Sequence, residues 1–389
     1  MIIGFDASQT GEGKAGCGYY AEGLIAQLAE LDSENTYILY PTFGDGVWDP
    51  CWPQTPPPVR GPNVRQGLGH RTRAELETFW RSPTLDEDQL GRPDVIHTHN
   101  FYCPRGLRHA RVVYTLHDLA FLEHPEWTTE ANRINCFSGT FNASLYADRI
   151  VAVSDYTRQH FLRTFPHYPP ERIAVIYSGS RFTQRSIEDR PASLPDLRPD
   201  GFWLTVGTFE PRKNHRRLLL AYARLKARLG HVLPLVLAGG KGWLMDDFEH
   251  TLDELQLRQD VLVLGYVEDR ALQWLYTHCF GFLYVSLFEG FGLPVVEAMS
   301  CGAAVISSNT TSLPELVADA GLMVDPLDEN DIADAMVGVA TGAVERPSLK
   351  GQAAARAHQF SWRGAAAQVR AVYEELAAEA PIGHPSSAA

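Results

Sequence analysis

Lysine is scarce in this chain. Only five occur in 389 residues, at positions 14, 213, 226, 241 and 350, and the remaining basic charge is arginine. Acidic residues outnumber basic ones by 47 to 34, for a formal net charge of −13. A surface of that sign does not bind nucleic acid or an anionic membrane by general attraction, although a local basic site stays open. Cysteine is also sparse: residues 17, 51, 103, 136, 279 and 301 are scattered, with no C-x-x-C pair. That spacing argues against a zinc ribbon or a disulfide frame and suits the reduced thiols of a cytoplasmic protein. No apolar run approaches the length of a membrane span. The start, Met1-Ile2-Ile3-Gly4-Phe5, reads as a strand and lacks the basic region of a signal peptide. The expected location is therefore the cytoplasm, with a peripheral contact at the inner face of a membrane left open.

What is present suits two globular domains. Hydrophobic residues make up 45% of a length that is long for one core. In the first half, Ile2–Asp6 reads as a strand and Gly16–Leu31 as a helix, with apolar spacing at Leu24, Leu28 and Leu31. Gly11-Glu12-Gly13-Lys14-Ala15-Gly16 between them is a literal G-x-G-x-x-G. It opens an alternative, an NAD-linked oxidoreductase, but the acidic residue that should end the second strand is missing from residues 37–41. Residues 44–70 are rich in Pro, Gly and Trp and read as an insertion or functional loop. His70, Arg71 and Arg73 begin a helix towards Trp80 and are weighed as an anion contact against a solvated helix start. Asp86-Glu87-Asp88 imitates a D-x-D metal motif but sits in a polar segment, so no metal ligand is assigned. Residues 94–99 and 111–118 are parallel-type strands that place His97, His99, His117 and Asp118 at carboxyl ends, where open α/β sheets bind ligands. Strands over 149–154 and 172–177 flank a helix over 155–165.

Residues 181–200 hold three prolines and many charges without apolar period, and read as an interdomain linker. The expected division is 1–180, linker 181–200, then 201–360. A strand over 202–207 leads into Thr208-Phe209-Glu210-Pro211-Arg212-Lys213-Asn214 and a helix to Leu229. Arg212 and Lys213 at such a turn can hold a diphosphate, one as a fork and the other as a point charge. Further strands over 233–238, 261–264, 280–285 and 303–307 complete a second doubly wound unit. The stretch that organises the whole is Glu289-Gly290-Phe291-Gly292-Leu293-Pro294-Val295-Val296-Glu297, two carboxylates with seven residues between them. Pro294 suits a helix start, which would place Glu297 in the first turn. Glycines admit a ligand to the backbone, and helix-start amides attract an anion. Acids beside an anion site make sense if they accept from hydroxyls of the same ligand, as in a nucleotide-sugar.

That spacing resembles the Glu-x7-Glu signature of the retaining family-4 glycosyltransferases, and the likeness extends over nearly the whole chain. It implies the GT-B fold, an α/β architecture of two doubly wound Rossmann-like domains facing across a deep cleft. The terminal helix, 361–378, would cross back onto the first domain. Glu289 would lie against the transferred sugar, Glu297 at the ribose hydroxyls and His117 near the reacting sugar. Arg212 and Lys213, with amides around Gly16, Gly18, Phe291, Gly292 and Leu293, would hold the donor diphosphate, and Val267 would lie near the base. Gly16-Cys17-Gly18-Tyr19-Tyr20 is similar to the family's G-x-G-R-Y, with Tyr19 in the place of Arg. Tyr177-Ser178-Gly179-Ser180 stands where the family has Asn-Gly.

The resemblance implies a retaining, metal-independent hexosyltransferase with no cofactor. Its nucleotide diphosphate sugar donor is expected to be GDP-mannose first and a UDP-hexose second, as in the mannosyltransferase-like branch. The acceptor would be a saccharide or glycolipid hydroxyl in polysaccharide or glycoconjugate synthesis. A catalytically inactive nucleotide-sugar-binding subunit is the further alternative. The oligomeric state is not legible.

Overall fold

A computed structural model of the chain describes residues 1–11, 13–44, 59–68, 72–182, 187–243 and 247–379. Two compact units emerge. The first comprises Met1–Pro125, Glu130–Gly179 and the C-terminal segment from Ser361; the second comprises Glu126–Thr129 and Ser180–Phe360.

Among the described residues, the first unit holds seven strands: β1 (Ile2–Asp6), β2 (Thr36–Tyr40), β3 (Val64–Gln66), β4 (Val95–His99), β5 (Arg111–Leu116), β6 (Arg149–Ala152) and β7 (Ile173–Val175). They lie in the order β3-β2-β1-β4-β5-β6-β7, and every pairing is parallel. Every residue of β4 and β5 is buried, as expected of a parallel sheet covered on both faces. The Trp362–Ala378 helix belongs to this unit. Its Trp362 ring meets Tyr20 edge-on at 5.6 Å, and its Tyr373 hydroxyl bonds His97 Nδ1 at 2.5 Å.

The second unit holds six described strands: β8 (Trp203–Val206), β9 (Leu235–Ala238), β10 (Val261–Gly265), β11 (Gly281–Tyr284), β12 (Val305–Ser308) and β13 (Leu322–Val324). Their order, β10-β9-β8-β11-β12-β13, is again all parallel and is the doubly wound Rossmann arrangement. Strand order reverses between β8 and β11, so the loops leaving those two strands diverge to opposite faces and open a crevice at their carboxyl ends. The Arg-Lys turn follows β8 and the Glu-x7-Glu stretch follows β11.

Several elements differ from expectation. β3 interrupts the irregular 44–70 stretch, of which residues 45–58, 69 and 70 lie outside the described set, as do Glu12, His70 and Arg71. β13 and the Glu130–Tyr146 helix were unforeseen. That helix buries its small side, Gly139, Thr140, Ala143 and Ser144, while Ile134, Phe137, Phe141 and Leu145 are exposed. Of residues 181–200, expected as a linker, the described ones, 181, 182 and 187–200, cluster with the second unit, where Phe182, Leu194 and Leu197 are buried, and 183–186 lie outside the described set. None of the described helices is long and apolar enough to cross a membrane.

Candidate active site

In the second unit, the first acid of the signature sits among cations. After β8 the chain makes a tight turn over Pro211–Lys213, and Asn214 takes a left-handed φ of 61° before the His215–Leu229 helix. The Asn214 amide donates to Val285 O at 2.9 Å and Pro326 O at 2.7 Å, tying the turn to the loop beyond β11. A backbone bond from Leu287 N to Arg212 O, 2.7 Å, closes the same junction. Lys213 Nζ reaches Glu289 Oε1 at 2.6 Å and the Tyr284 hydroxyl at 2.8 Å. Arg212 spans two acids, with Nη1 2.7 Å from Glu289 Oε2 and Nε 2.6 Å from Glu210 Oε1. Burial would raise the Glu289 carboxyl, but Arg212 and Lys213 outweigh it and hold it down at about 2. Burial and then Arg212 pull the Lys213 ammonium below its ordinary value, against the opposing effect of Glu289 and Glu210.

The loop that carries Glu289 is braced from the segment after β12. Thr311 Oγ1 accepts from Glu289 N at 3.1 Å, and Ser312 Oγ lies 2.9 Å from Glu289 O and 2.7 Å from Phe291 O. Gly292 caps the Leu293–Ser300 helix at a φ of 119°, and a Cβ there would sit 2.9 Å from Leu313 Cδ2. The positive φ calls for glycine, and the leucine methyl would have to shift for any larger residue. Phe291 is buried against Phe360, with ring centroids 6.1 Å apart. Leu293 is the first helical residue, so Pro294 is second and Glu297 fifth. The expected first-turn position of Glu297 is therefore corrected to the second turn, beyond the strongest reach of the helix dipole.

Glu297 is 2% exposed, and both of its oxygens meet Arg181: Nε to Oε1 at 2.6 Å and Nη2 to Oε2 at 3.1 Å. Tyr276 donates its hydroxyl to Oε2 at 3.2 Å, and the Arg181 Nη1 bonds Asp269 at 2.8 Å. Val267 is half-buried two residues beyond β10.

The first unit holds the other expected residues. Gly16 opens the Gly16–Leu31 helix behind an Ala15 cap that has no side-chain bond, so the amides of Gly16, Cys17 and Gly18 precede the first intrahelical donor, Tyr19 N, which bonds Ala15 O at 3.1 Å. A Cβ on Gly18 would lie 2.1 Å from Gln9 O, whereas Gly16 faces open space. The close approach thus falls two residues past the literal G-x-G-x-x-G, whose final glycine should make the tight helix packing. Beside Tyr19 stands a cation after all, Lys14, with Nζ 5.2 Å from the ring centroid.

His117 lies immediately past β5, edge-on to Tyr20 at 5.0 Å and to His99 at 5.6 Å. Its Nε2 is enclosed and has no hydrogen-bond partner among the described residues. Burial first, and then His99 and His97, push this imidazole well below its ordinary value, so it is neutral and able to share a proton with a hydroxyl. His97 is structural: its Nε2 bonds Thr115 at 2.7 Å while Nδ1 takes Tyr373. His99 faces Asp6, 3.3 Å from its carbonyl. Asp118 accepts from Ala120 N at 3.0 Å, a local turn contact. The D-x-D segment is engaged locally too, with Asp88 forked by Arg92 and Asp86 accepting from Gln89.

Residues 15–180 match the family model described as Glycosyltransferase Family 4, and residues 188–349 match Glycosyl transferases group 1. The O-antigen chain mannosyltransferase B of Escherichia coli is 38% identical over 292 residues, covering 72% of this chain and 74% of that one. Among solved structures, HepE from Anabaena in complex with UDP and glucose aligns with a TM-score of 0.69 at 19% identity, covering 96% of this chain and 100% of its own. WaaG, a glycosyltransferase involved in lipopolysaccharide biosynthesis, aligns with a TM-score of 0.70 at 16% identity, covering 96% of this chain and 99% of its own. The two Rossmann-like units have the GT-B fold, and the family models with the 38% identical relative define the class as an enzyme that transfers a glycosyl group. The chain belongs to glycosyltransferase family 4.

The sequence reading missed Glu210, Tyr284, Thr311, Ser312, Tyr276 and Arg181. Glu210 lies in the same turn as Arg212 and Lys213, where two adjacent cations point to a phosphate and an acid has no evident role until its bond to Arg212 Nε is seen. Arg181 had no signal, because one arginine in a proline-rich charged stretch looks like solvated linker.

Proposed function

We propose that this enzyme moves a hexose, mannose first, from a nucleotide diphosphate donor to a hydroxyl of a saccharide or lipid-linked saccharide, with retention at the anomeric carbon. The observation that carries this reading is the meeting of Arg212 and Lys213 with Glu289 at the switch point of the second sheet, with Glu297 on the following helix. Two cations and helix-start amides suit a departing diphosphate, and buried carboxylates suit the hydroxyls of a sugar and a ribose. The mannosyl choice rests on the relative named as an O-antigen chain mannosyltransferase, with a UDP-hexose second.

In this reading the leaving phosphate oxygen takes the acceptor proton on the same face of the sugar. Arg212 and Lys213 balance its charge, and Glu289 supports the positive character that grows at the anomeric carbon. Metal independence is part of the proposal: the diphosphate is countered by side-chain cations, and Asp86 and Asp88 bond their own turn. The test is a panel of GDP-mannose and UDP-hexoses with a lipid-linked or free saccharide acceptor, run with and without EDTA. The anomeric configuration of the product is read by NMR. Turnover with GDP-mannose, an unchanged rate in chelator and an axial-to-axial outcome are expected. Loss of turnover in EDTA that manganese restores, or an inverted product, would defeat the corresponding part.

A further inference from the structure

Arg181 stands one residue inside the second unit, far in sequence from the Glu-x7-Glu stretch, yet its guanidinium forks both oxygens of Glu297. The rest of the side chain is fixed as well. Asp269 holds Nη1 at 2.8 Å, and the guanidinium lies over the Phe182 ring, 5.0 Å from its centroid. Phe182 is itself buried, with its ring 5.9 Å from that of Tyr276, the other donor to Glu297. The planar fork matches a carboxylate in a way that a lysine could not reproduce. A carboxylate offers about four lone-pair sites. Three are occupied here, two by Arg181 and one by Tyr276. One site remains for a ribose diol's two donors, so one hydroxyl takes it and the other shares an oxygen that is already held, on an acceptor whose plane is already set.

We propose that Arg181 is a positioning residue for the nucleotide: by fixing the plane and charge of Glu297, it sets how strongly the enzyme prefers a ribose that keeps both hydroxyls. The inference rests on the reading of Glu297 as the ribose acceptor. Asp269 holds the outer end of the guanidinium and contributes through Arg181.

The test is calorimetric titration of the full chain with GDP and UDP and with their 2′,3′-dideoxy counterparts. The wild type should bind the ribo form at least about tenfold more tightly, as expected for charge-assisted hydrogen bonds. Arg181→Met should lose about tenfold or more of the ribo affinity, leave dideoxy binding nearly unchanged and so collapse the preference. Arg181→Lys restores charge without the fork and should recover only part. Asp269→Asn, at a more exposed position, should lower the preference by a smaller factor and decides the matter if Arg181→Met does not fold. In a Glu297→Gln background, Asp269→Asn should leave the ribo-to-dideoxy ratio unchanged. A wild-type ratio in both folded Arg181→Lys and Asp269→Asn would overturn the role of Arg181. Equal ribo and dideoxy binding by the wild type would overturn the Glu297 reading beneath it.

Discussion

At the scale of single residues, the second unit is organised by acids that hold cations. Lys213 is the plainest case, since it is one of five lysines and sits on Glu289 beside Arg212. Its replacement by Ala should weaken nucleoside diphosphate binding by about 10- to 150-fold, roughly 1.5–3 kcal/mol for a charged hydrogen bond. Calorimetry with the free diphosphate measures this, and undiminished binding would remove Lys213 from the phosphate site. The two signature acids should separate cleanly. On the proposed reading Glu297 meets the ribose equally in ground and transition states, so Glu297→Ala should raise the donor KM and leave saturated turnover nearly intact. On the same reading Glu289 lies next to the reacting carbon, so Glu289→Gln should depress kcat more than donor affinity. Because Glu289 also neutralises Arg212 and Lys213, the free diphosphate should bind Glu289→Gln no more weakly than wild type. Identical kinetic profiles for the two variants would end this division of roles.

Among the elements, β4, β5 and the Trp362–Ala378 helix are joined by His97, which bonds Thr115 and Tyr373 and is held down to about 3 by burial and by His99. The folded state refuses a proton that the unfolded chain accepts near pH 6.5. The stabilisation is therefore complete above that value and falls as pH drops towards 3, by at most about 1.4 kcal/mol per pH unit. His97→Gln should flatten the dependence of the urea midpoint on pH over this range by one proton, and superimposable profiles would refute it. This histidine also shows what the sequence withholds. Its place towards a strand's carboxyl end is legible, because the apolar pair Val95-Ile96 leads into the polar His97-Thr98-His99, but a partner 276 residues away is not. The Gly16–Leu31 and His215–Leu229 helices were legible from their apolar stripes. The Glu130–Tyr146 helix was not, since it turns small residues inward and Phe137 and Phe141 outward, the reverse of the usual pattern. β3 and β13, three residues each, are too short to carry a period of two. In the candidate site the sequence is legible where charge stands out against a glycine-rich turn, as at Arg212, Lys213 and Glu289, which the fold brings together. Arg181 and Ser312 act through distant partners and left no local mark.

For the molecule as a whole, the decisive feature is that the first unit is assembled from both ends of the chain while the second is nearly continuous from Ser180 to Phe360. The Trp362–Ala378 helix buries Trp362, Ala365, Ala366, Val369, Val372, Tyr373 and Leu376. A chain ended at Phe360 should keep the second unit, including the Arg212–Glu289 and Arg181–Glu297 pairs, yet lose hydrogen-exchange protection in β1, β4 and β5. Protection equal to that of the full chain in those strands would contradict this. The same arithmetic of position acts during synthesis. Domains ordinarily settle in the order in which they leave the ribosome. Here the earliest-made sheet waits, with the face that Tyr373 and Trp362 will cover still open to the cell, until the entire later unit and one last helix have been translated. A sheet made before the second unit is thus closed only after it, and over that interval a nascent chain should offer this face to chaperones and proteases.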